Sequence, residues 1–505
     1  MITEDFKVVS GGLAEPSDDI LGLIEHVSIH AGPFIDGRFV EAETDESFDN
    51  LSPINGSVIN EIPSCGEADV ERAVRSARAA FDGGSWSARP PGQRKQVLLK
   101  FAELIEANAD ELAAIEAIDV GKAYEAARSV DIPSAIRTVY WYGEAVDKIY
   151  GEIAPTATMD LIVREPLGVI GAVVPWNYPL MIAAWKLGPI LAAGNSVVLK
   201  PAEQSPLSAL RVAELAVEAG LPDGVFNVVP GLGERAGRAL GLHPDVDGIA
   251  FTGSTEVGRM FLGYSSKSTI KSISLECGGK SPYLIFEDAD LEEAIAKMAS
   301  GVFYNAGQSC NAPTRLLVSR NLSKDVGAAL TREAESYYPN HPLRRGTKVG
   351  AVVSQAQVDR IAHFVSAGLE EGATLVCGGS QCFENSGGFY FEPTVFENSR
   401  SEMKISQEEI FGPVVPIETF DSLDEAIHMA NATRYGLWAN VWTNDLKIAY
   451  YCARNIRAGT VGINNVFGGD ITTPLGGYKQ SGTGRDRSLH AIDKYSQLKH
   501  VSINV

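Results

Sequence analysis

Two rhythms of apolar spacing divide this chain. In its first third, Val70, Ala73, Val74, Ala77 and Phe81 fall on one helical face. Leu98, Phe101, Leu104, Ile105 and Leu112 fall on another. Between Phe34 and Ile62, short β-like runs are broken by the turn-forming pairs Asp36-Gly37 and Asn55-Gly56. From Val169 the spacing changes, and short apolar strands alternate with helices. The strands are Val169 to Val174, Ser196 to Leu199, Val225 to Val229 and Ile249 to Thr252. The helices between them are centred on Met181 to Leu191, Ser205 to Glu218 and Gly233 to Leu240.

Alternating strand and helix predict an α/β fold, with a parallel sheet covered by helices on both faces. A second such unit begins after Ile273, with a strand over Tyr283 to Phe286, a helical run from Leu291 to Tyr304 and a strand over Arg315 to Val318. Further segments follow through Val365 to Val376 and Ala426 to Trp442. Parallel sheets bind ligands beyond the carboxyl ends of their strands. The polar clusters Pro175-Trp176-Asn177, Lys200-Pro201-Ala202-Glu203 and Gly253-Ser254-Thr255 are expected at those ends.

The chain has 505 residues, which favours two or three domains. Its net charge of -21 argues against nucleic acid and anionic membrane surfaces as partners. No run approaches the eighteen or so apolar residues of a membrane span, and the acidic start lacks signal-peptide features. Six cysteines without CxxC or disulfide spacing, and histidines without ligand spacing, point to a reducing cytoplasmic setting and no metal.

Candidate chemistry centres on Asn305-Ala306-Gly307-Gln308-Ser309-Cys310, a polar turn that presents a thiol where a substrate can reach it. Glu276 stands between an apolar strand and Gly278-Gly279, a place suited to a partly buried general base. Asn177 offers an amide NH2 which, with the Cys310 backbone N–H, suits an oxyanion. Gly253 and Ser254 open a helix whose free amides can hold phosphate, although the same turn also reads as a plain N-cap. Gly231-Leu232-Gly233 followed by Gly237 misses GxGxxG by one residue and carries little weight. Lys200 and Glu203 can meet a ribose, and a carboxylate there repels a 2′-phosphate, favouring NAD over NADP.

Together these motifs resemble the NAD(P)-dependent aldehyde dehydrogenase superfamily. The resemblance is carried by Pro175-Trp176-Asn177, Lys200-Pro201-Ala202-Glu203, Phe251-Thr252-Gly253-Ser254, Leu275-Glu276-Cys277-Gly278-Gly279-Lys280 and Gly307-Gln308-Ser309-Cys310. Glu408-Glu409-Ile410-Phe411-Gly412-Pro413 and Pro474-Leu475-Gly476-Gly477-Tyr478-Lys479 complete the order, from about residue 33 to the C-terminus. The resemblance implies a non-acylating enzyme with Cys310 as nucleophile, Glu276 as the base for hydrolysis, and Asn177 in the oxyanion hole. It implies cofactor contacts at Trp176, Lys200, Glu203, Gly253, Ser254, Glu409 and Phe411, with NAD expected and NADP possible. It also implies a Rossmann-type coenzyme domain (31–147 and 167–278), a catalytic domain (279–484) and a small β oligomerisation arm (148–166 and 485–505). A homotetramer or homodimer follows from that arm, and 1–30 reads as an N-terminal extension.

Three departures stand out: Cys277 where leucine is common, Leu475 where an aromatic is frequent, and Asp486 where glutamate is usual. The resemblance further implies an aldehyde tunnel lined near Tyr178, Ile182 and Trp185, by Tyr304 and Ser309, and by Phe467 and Leu475. Aromatics without an evident cation predict an apolar, aromatic or terpenoid-like aldehyde and disfavour a dicarboxylic semialdehyde. A CoA-acylating dehydrogenase on the same fold would not need Glu276. A cysteine hydrolase would need a histidine beside Cys310.

Overall fold

The computed structural model describes residues 6, 11–27 and 30–504. Of the stretch read as an extension, 1–5, 7–10, 28 and 29 lie outside the described residues, as does 505. Within that stretch a helix, Asp18–Glu25, buries Ile20, Leu21 and Ile24.

Five parallel strands make up most of the first sheet, in the order Ser272–Glu276, Gly248–Thr252, Val169–Val173, Ser196–Lys200, Phe226–Val228, with Ser272–Glu276 at its edge. A hairpin of Phe34–Ile35 and Arg38–Phe39 extends it antiparallel. Asp36 and Gly37, at φ 56° and 75°, make its two-residue turn, the combination that matches strand twist. Val169–Val173 shows why these strands read as unbroken apolar runs. Val169 and Val173 join one core with Val70, Ala73, Val74 and Ala77. Ile170 and Ala172 join the other with Leu180, Leu187, Leu210 and Ala213. Side chains alternate across the strand, and a helix layer waits on each side.

The second seven-stranded sheet runs Thr374–Cys377, Thr394–Glu397, Val414–Phe420, Arg315–Ser319, Pro282–Ile285, Trp438–Trp442, Thr460–Ile463. Only its first pair is antiparallel. Tyr283 and Ile285 face one core and Leu284 the other. A third sheet pairs Ser496–Ile503 with Met159–Pro166, in register from Ser496↔Pro166 to Ile503↔Met159, and adds Glu152–Ala154.

Two expected elements divide. Leu112 belongs not to Pro91–Ala107 but to the next helix, Ala109–Val120, because Asn108 ends the first. Gly233 to Leu240 is a π-helical turn, Gly233–Gly237, followed by Arg238–Leu242. That turn packs Gly231 against the Cys65 backbone and does not line the cleft described next.

Candidate active site

Between the two large sheets lies a cleft of about 680 Å³. Asn177 enters it from the loop after Val169–Val173, Glu276 from the end of Ser272–Glu276, and Cys310 from the turn after Leu291–Phe303. Strand ends deliver the first two; the third depends on a backbone device. Asn305, Ala306 and Gly307 have φ of 52°, 53° and 73°, three successive left-handed residues that reverse the chain. Gly307 presses on the neighbouring loop so closely that a Cβ there would meet the Gly412 carbonyl oxygen at 2.2 Å. Gln308 locks the reversal: its amide donates to the Asn305 carbonyl (3.0 Å), and its Oε1 accepts the Val353 N–H (2.9 Å).

The same turn positions the amide. Asn177 Nδ2 donates to the Gln308 carbonyl at 2.9 Å, and Asn305 Nδ2 donates to the Asn177 carbonyl at 3.1 Å. One N–H of the Asn177 NH2 is thereby fixed, leaving the second for a ligand. Cys310 is partly exposed. Burial, then the Glu409 and Glu276 carboxylates, push its thiol up to about 12, opposed by the Cys310 and Asn311 amides. Cys310 therefore rests as a thiol, which must lose its proton before its sulfur can act as a nucleophile.

Glu276 is buried, and its Oε1 has no hydrogen-bond partner among the described residues. Burial, then Asp486, raise its carboxyl well above the usual range, and Lys186 and Lys494 oppose them. Asp486 sits between these two lysines, with Oδ2 2.5 Å from Lys186 Nζ and Oδ1 2.5 Å from Lys494 Nζ. Against the burial that favours its neutral form, the pair holds Asp486 below the ordinary carboxylate range. An antiparallel bridge between Leu475 and Asp486 brings this carboxylate to the cleft wall.

At the other end of the cleft the helix Thr255–Lys267 begins. Ser254 caps it, its hydroxyl accepting the Val257 N–H at 3.2 Å. The hydroxyl is thus used as an N-cap, while the first-turn amides of Thr255 and Glu256 remain without intrahelical acceptors. Those amides, with Arg259 of the same helix on the lining, fit a pyrophosphate. Glu409 accepts the Gly279 N–H at 3.0 Å, and Gly278 has no room for a Cβ, which would lie 1.9 Å from Glu409 Oε2. Burial pushes the Glu409 carboxyl up to about 7. Trp176 and Phe411 meet edge-on, centroids 5.2 Å apart, beside it. A dinucleotide with one charged and one apolar end fits this donor set.

The cleft lining includes Trp176, Asn177, Ile182, Trp185, Gly253, Ser254, Glu276, Cys310, Glu409, Phe411 and Leu475. Lys200 and Glu203 are not on it; they pair with each other at 3.0 Å. Tyr178, Tyr304 and Ser309 are not among its lining residues either; Tyr178 and Ser309 are buried, the Tyr178 hydroxyl bonding Ser309 Oγ. Phe467 is 47% exposed, because its loop runs out to solvent. Beside Trp185 stands a cation that the sequence reading did not single out: the Arg487 guanidinium carbon lies 5.6 Å from its ring centre. Lys186 went unread as well, although a lone lysine inside the apolar run Pro179–Ala193 is the mark of a buried, paired charge. Among the described residues no histidine lines the cleft beside Cys310.

The aldehyde dehydrogenase family model matches residues 39–501. The NADP/NAD-dependent aldehyde dehydrogenase PuuC of Escherichia coli is 46% identical over 475 residues, covering 94% of this chain and 95% of that protein. The crystal structure of an indole-3-acetaldehyde dehydrogenase with NAD+ matches with a TM-score of 0.96 at 47% identity, covering 97% of this chain and 100% of that one. A γ-glutamyl-γ-aminobutyraldehyde dehydrogenase from Burkholderia cenocepacia matches at 0.94 and 48% identity, covering 96% of this chain and 99% of that one. A thiol, a buried carboxylate and a helix N-terminus thus share one cleft, and the chain belongs to the aldehyde dehydrogenase family, oxidising aldehydes with NAD(P).

Proposed function

We propose that oxidation proceeds through covalent Cys310 chemistry with hydrolytic release of the acid. The carrying observation is the Asn177 amide anchored on the Gln308 carbonyl, two residues before the thiol. Cys310 loses its proton to solvent, and its sulfur bonds the aldehyde carbon. The carbonyl electron pair moves to oxygen, where the Asn177 N–H and the Cys310 amide receive the charge. Bound NAD supplies the hydride acceptor. As the oxyanion re-forms C=O, hydride leaves carbon and a Cys310 thioester remains. Glu276 then takes a proton from water, hydroxide adds to the thioester, and the C–S bond breaks to give acid and thiol. Glu276 gives hydrolysis its base, so added CoA is expected to leave the rate unchanged. Lys200 and Glu203 are proposed at the adenosine ribose, and Glu409 with Phe411 at the nicotinamide end. Cys310→Ala should abolish NADH formation while NAD still binds; persisting turnover would move the nucleophile elsewhere.

The aldehyde is proposed to have an apolar body, aliphatic or aromatic, lying on Ile182, Trp185 and Leu475. Each buried methylene contributes about 0.8 kcal/mol, so kcat/KM should climb about fourfold per carbon along the n-alkanals. A flat series would overturn the apolar tunnel.

The division into coenzyme domain, catalytic domain and arm is proposed on the same footing. Tyr150, Ile153, Met159 and Leu498 are exposed on or beside the three-stranded sheet, which supports an oligomerising arm and a homotetramer or homodimer. Light scattering showing a monomer would remove it. The six cysteines are all free, which supports a reducing compartment such as the cytoplasm.

A further inference from the structure

Arg487 is held in an unusual place by an unusual backbone. It and Ser488 have φ of 60° and 51°, two consecutive left-handed residues that are not glycine. Such conformations persist only where the surroundings over-determine them. Here they do. The Leu475–Asp486 bridge fixes one side, the Ser488 N–H donates to the Ile471 carbonyl at 2.7 Å, and the Tyr142 hydroxyl donates to the Ser488 carbonyl at 2.9 Å.

The turn lays the Arg487 guanidinium against Trp185, 5.6 Å from its ring centre. Trp185 is a wall of the catalytic cleft together with Ile182 and Leu475. Among the described residues Arg487 has no ion pair within 4 Å, and its Nε is buried without a hydrogen-bond partner. The neighbouring carboxylates do not satisfy it. Both oxygens of Asp486 are taken by Lys186 and Lys494. Asp470 is engaged through Oδ1 by the Thr472 N–H and hydroxyl, at 2.8 and 2.6 Å, and is shared with the charge of Arg137. A planar cation held over an aromatic ring by a cation–π contact can keep its remaining donors for a carboxylate.

We propose that Arg487 is a specificity-determining residue that receives a carboxylate at the distal end of the aldehyde, whose apolar middle lies on Trp185. The substrate class is therefore an ω-carboxylated aldehyde with an apolar spacer. This rests on the apolar tunnel proposed above and adds to it the charge at its end.

The experiment compares ω-oxo acids of four to eight carbons with n-alkanals of matching length, in the wild type, Arg487→Gln and Arg487→Lys. The wild type should favour the oxo acid at one length or more. Arg487→Gln should raise KM for that oxo acid by about ten- to a hundredfold, the range of a charged hydrogen bond, with kcat nearly unchanged. The alkanals should stay within about twofold, and Arg487→Lys should recover part of the oxo-acid KM. Equal losses for both series would make Arg487 structural only and overturn the proposal, as would a wild type that prefers the alkanal at every length. Either result leaves the apolar tunnel standing if alkanal kcat/KM still climbs with length; if it does not, tunnel and proposal fall together.

Discussion

Replacing Lys186 with methionine is the sharpest test of the charge arrangement behind Glu276. Lys186 is 0% exposed and Asp486 1%, and their charged atoms lie 2.5 Å apart. Removing one partner of a buried pair costs about 3–5 kcal/mol, because the other charge stays buried. Lys494 still holds the second oxygen of Asp486 at 2.5 Å, which places the expected loss near the lower end, about 3 kcal/mol. At roughly 2 °C per kcal/mol in a unit of this size, the thermal midpoint should fall by about 6 °C. Lys494→Gln should cost less, about 1 kcal/mol, since that side chain is 13% exposed and Lys186 remains. Activity should respond in parallel. Lys186 opposes the rise of the Glu276 carboxyl, so its loss moves that titration further upward. A general base works deprotonated, so the rising limb of kcat against pH should shift to higher pH. Calorimetry and a pH–rate profile on the same samples read both effects. Equal destabilisation by the two variants, or a Lys186→Met profile that does not move, would refute the reasoning.

Glu276→Gln keeps the shape but cannot take a proton. Stopped-flow should show a burst of about one NADH per site, then steady turnover down by about a hundredfold or more. A first turnover slowed as much as the steady state would place the role of Glu276 before the thioester. In the wild type, Glu276 is raised by burial, so the deacylation limb should titrate above the usual carboxylate range and vanish in Glu276→Gln. Gly307→Ala meets both a left-handed φ of 73° and a Cβ 2.2 Å from the Gly412 carbonyl. The turn must shift, and kcat should fall by about a hundredfold as Cys310 moves about 1 Å; near-normal kcat would show that the nucleophile does not depend on this turn.

The course of the strands and the residues at their ends were legible because a local period encodes them. Val169–Val173 is apolar at every position only because helices cover both faces, and Asn177 and Glu276 follow strand ends directly. Cys310 could be singled out from its glycine-containing turn. Lys186 and Asp486 are 300 residues apart and meet through the fold, as do Arg487 and Trp185. No spacing in the chain reports such pairs. Phe467 and Tyr178 show the same limit from the other side. The family resemblance put both on the tunnel, but it could not report that Phe467 is largely exposed while Tyr178 is buried with its hydroxyl on Ser309. Local sequence determined which strands form and where the loops with chemistry emerge. Only the tertiary structure decided which of those side chains face the cleft, and which buried charges stand behind them, because direction and pairing come from elements packed together far apart in the chain.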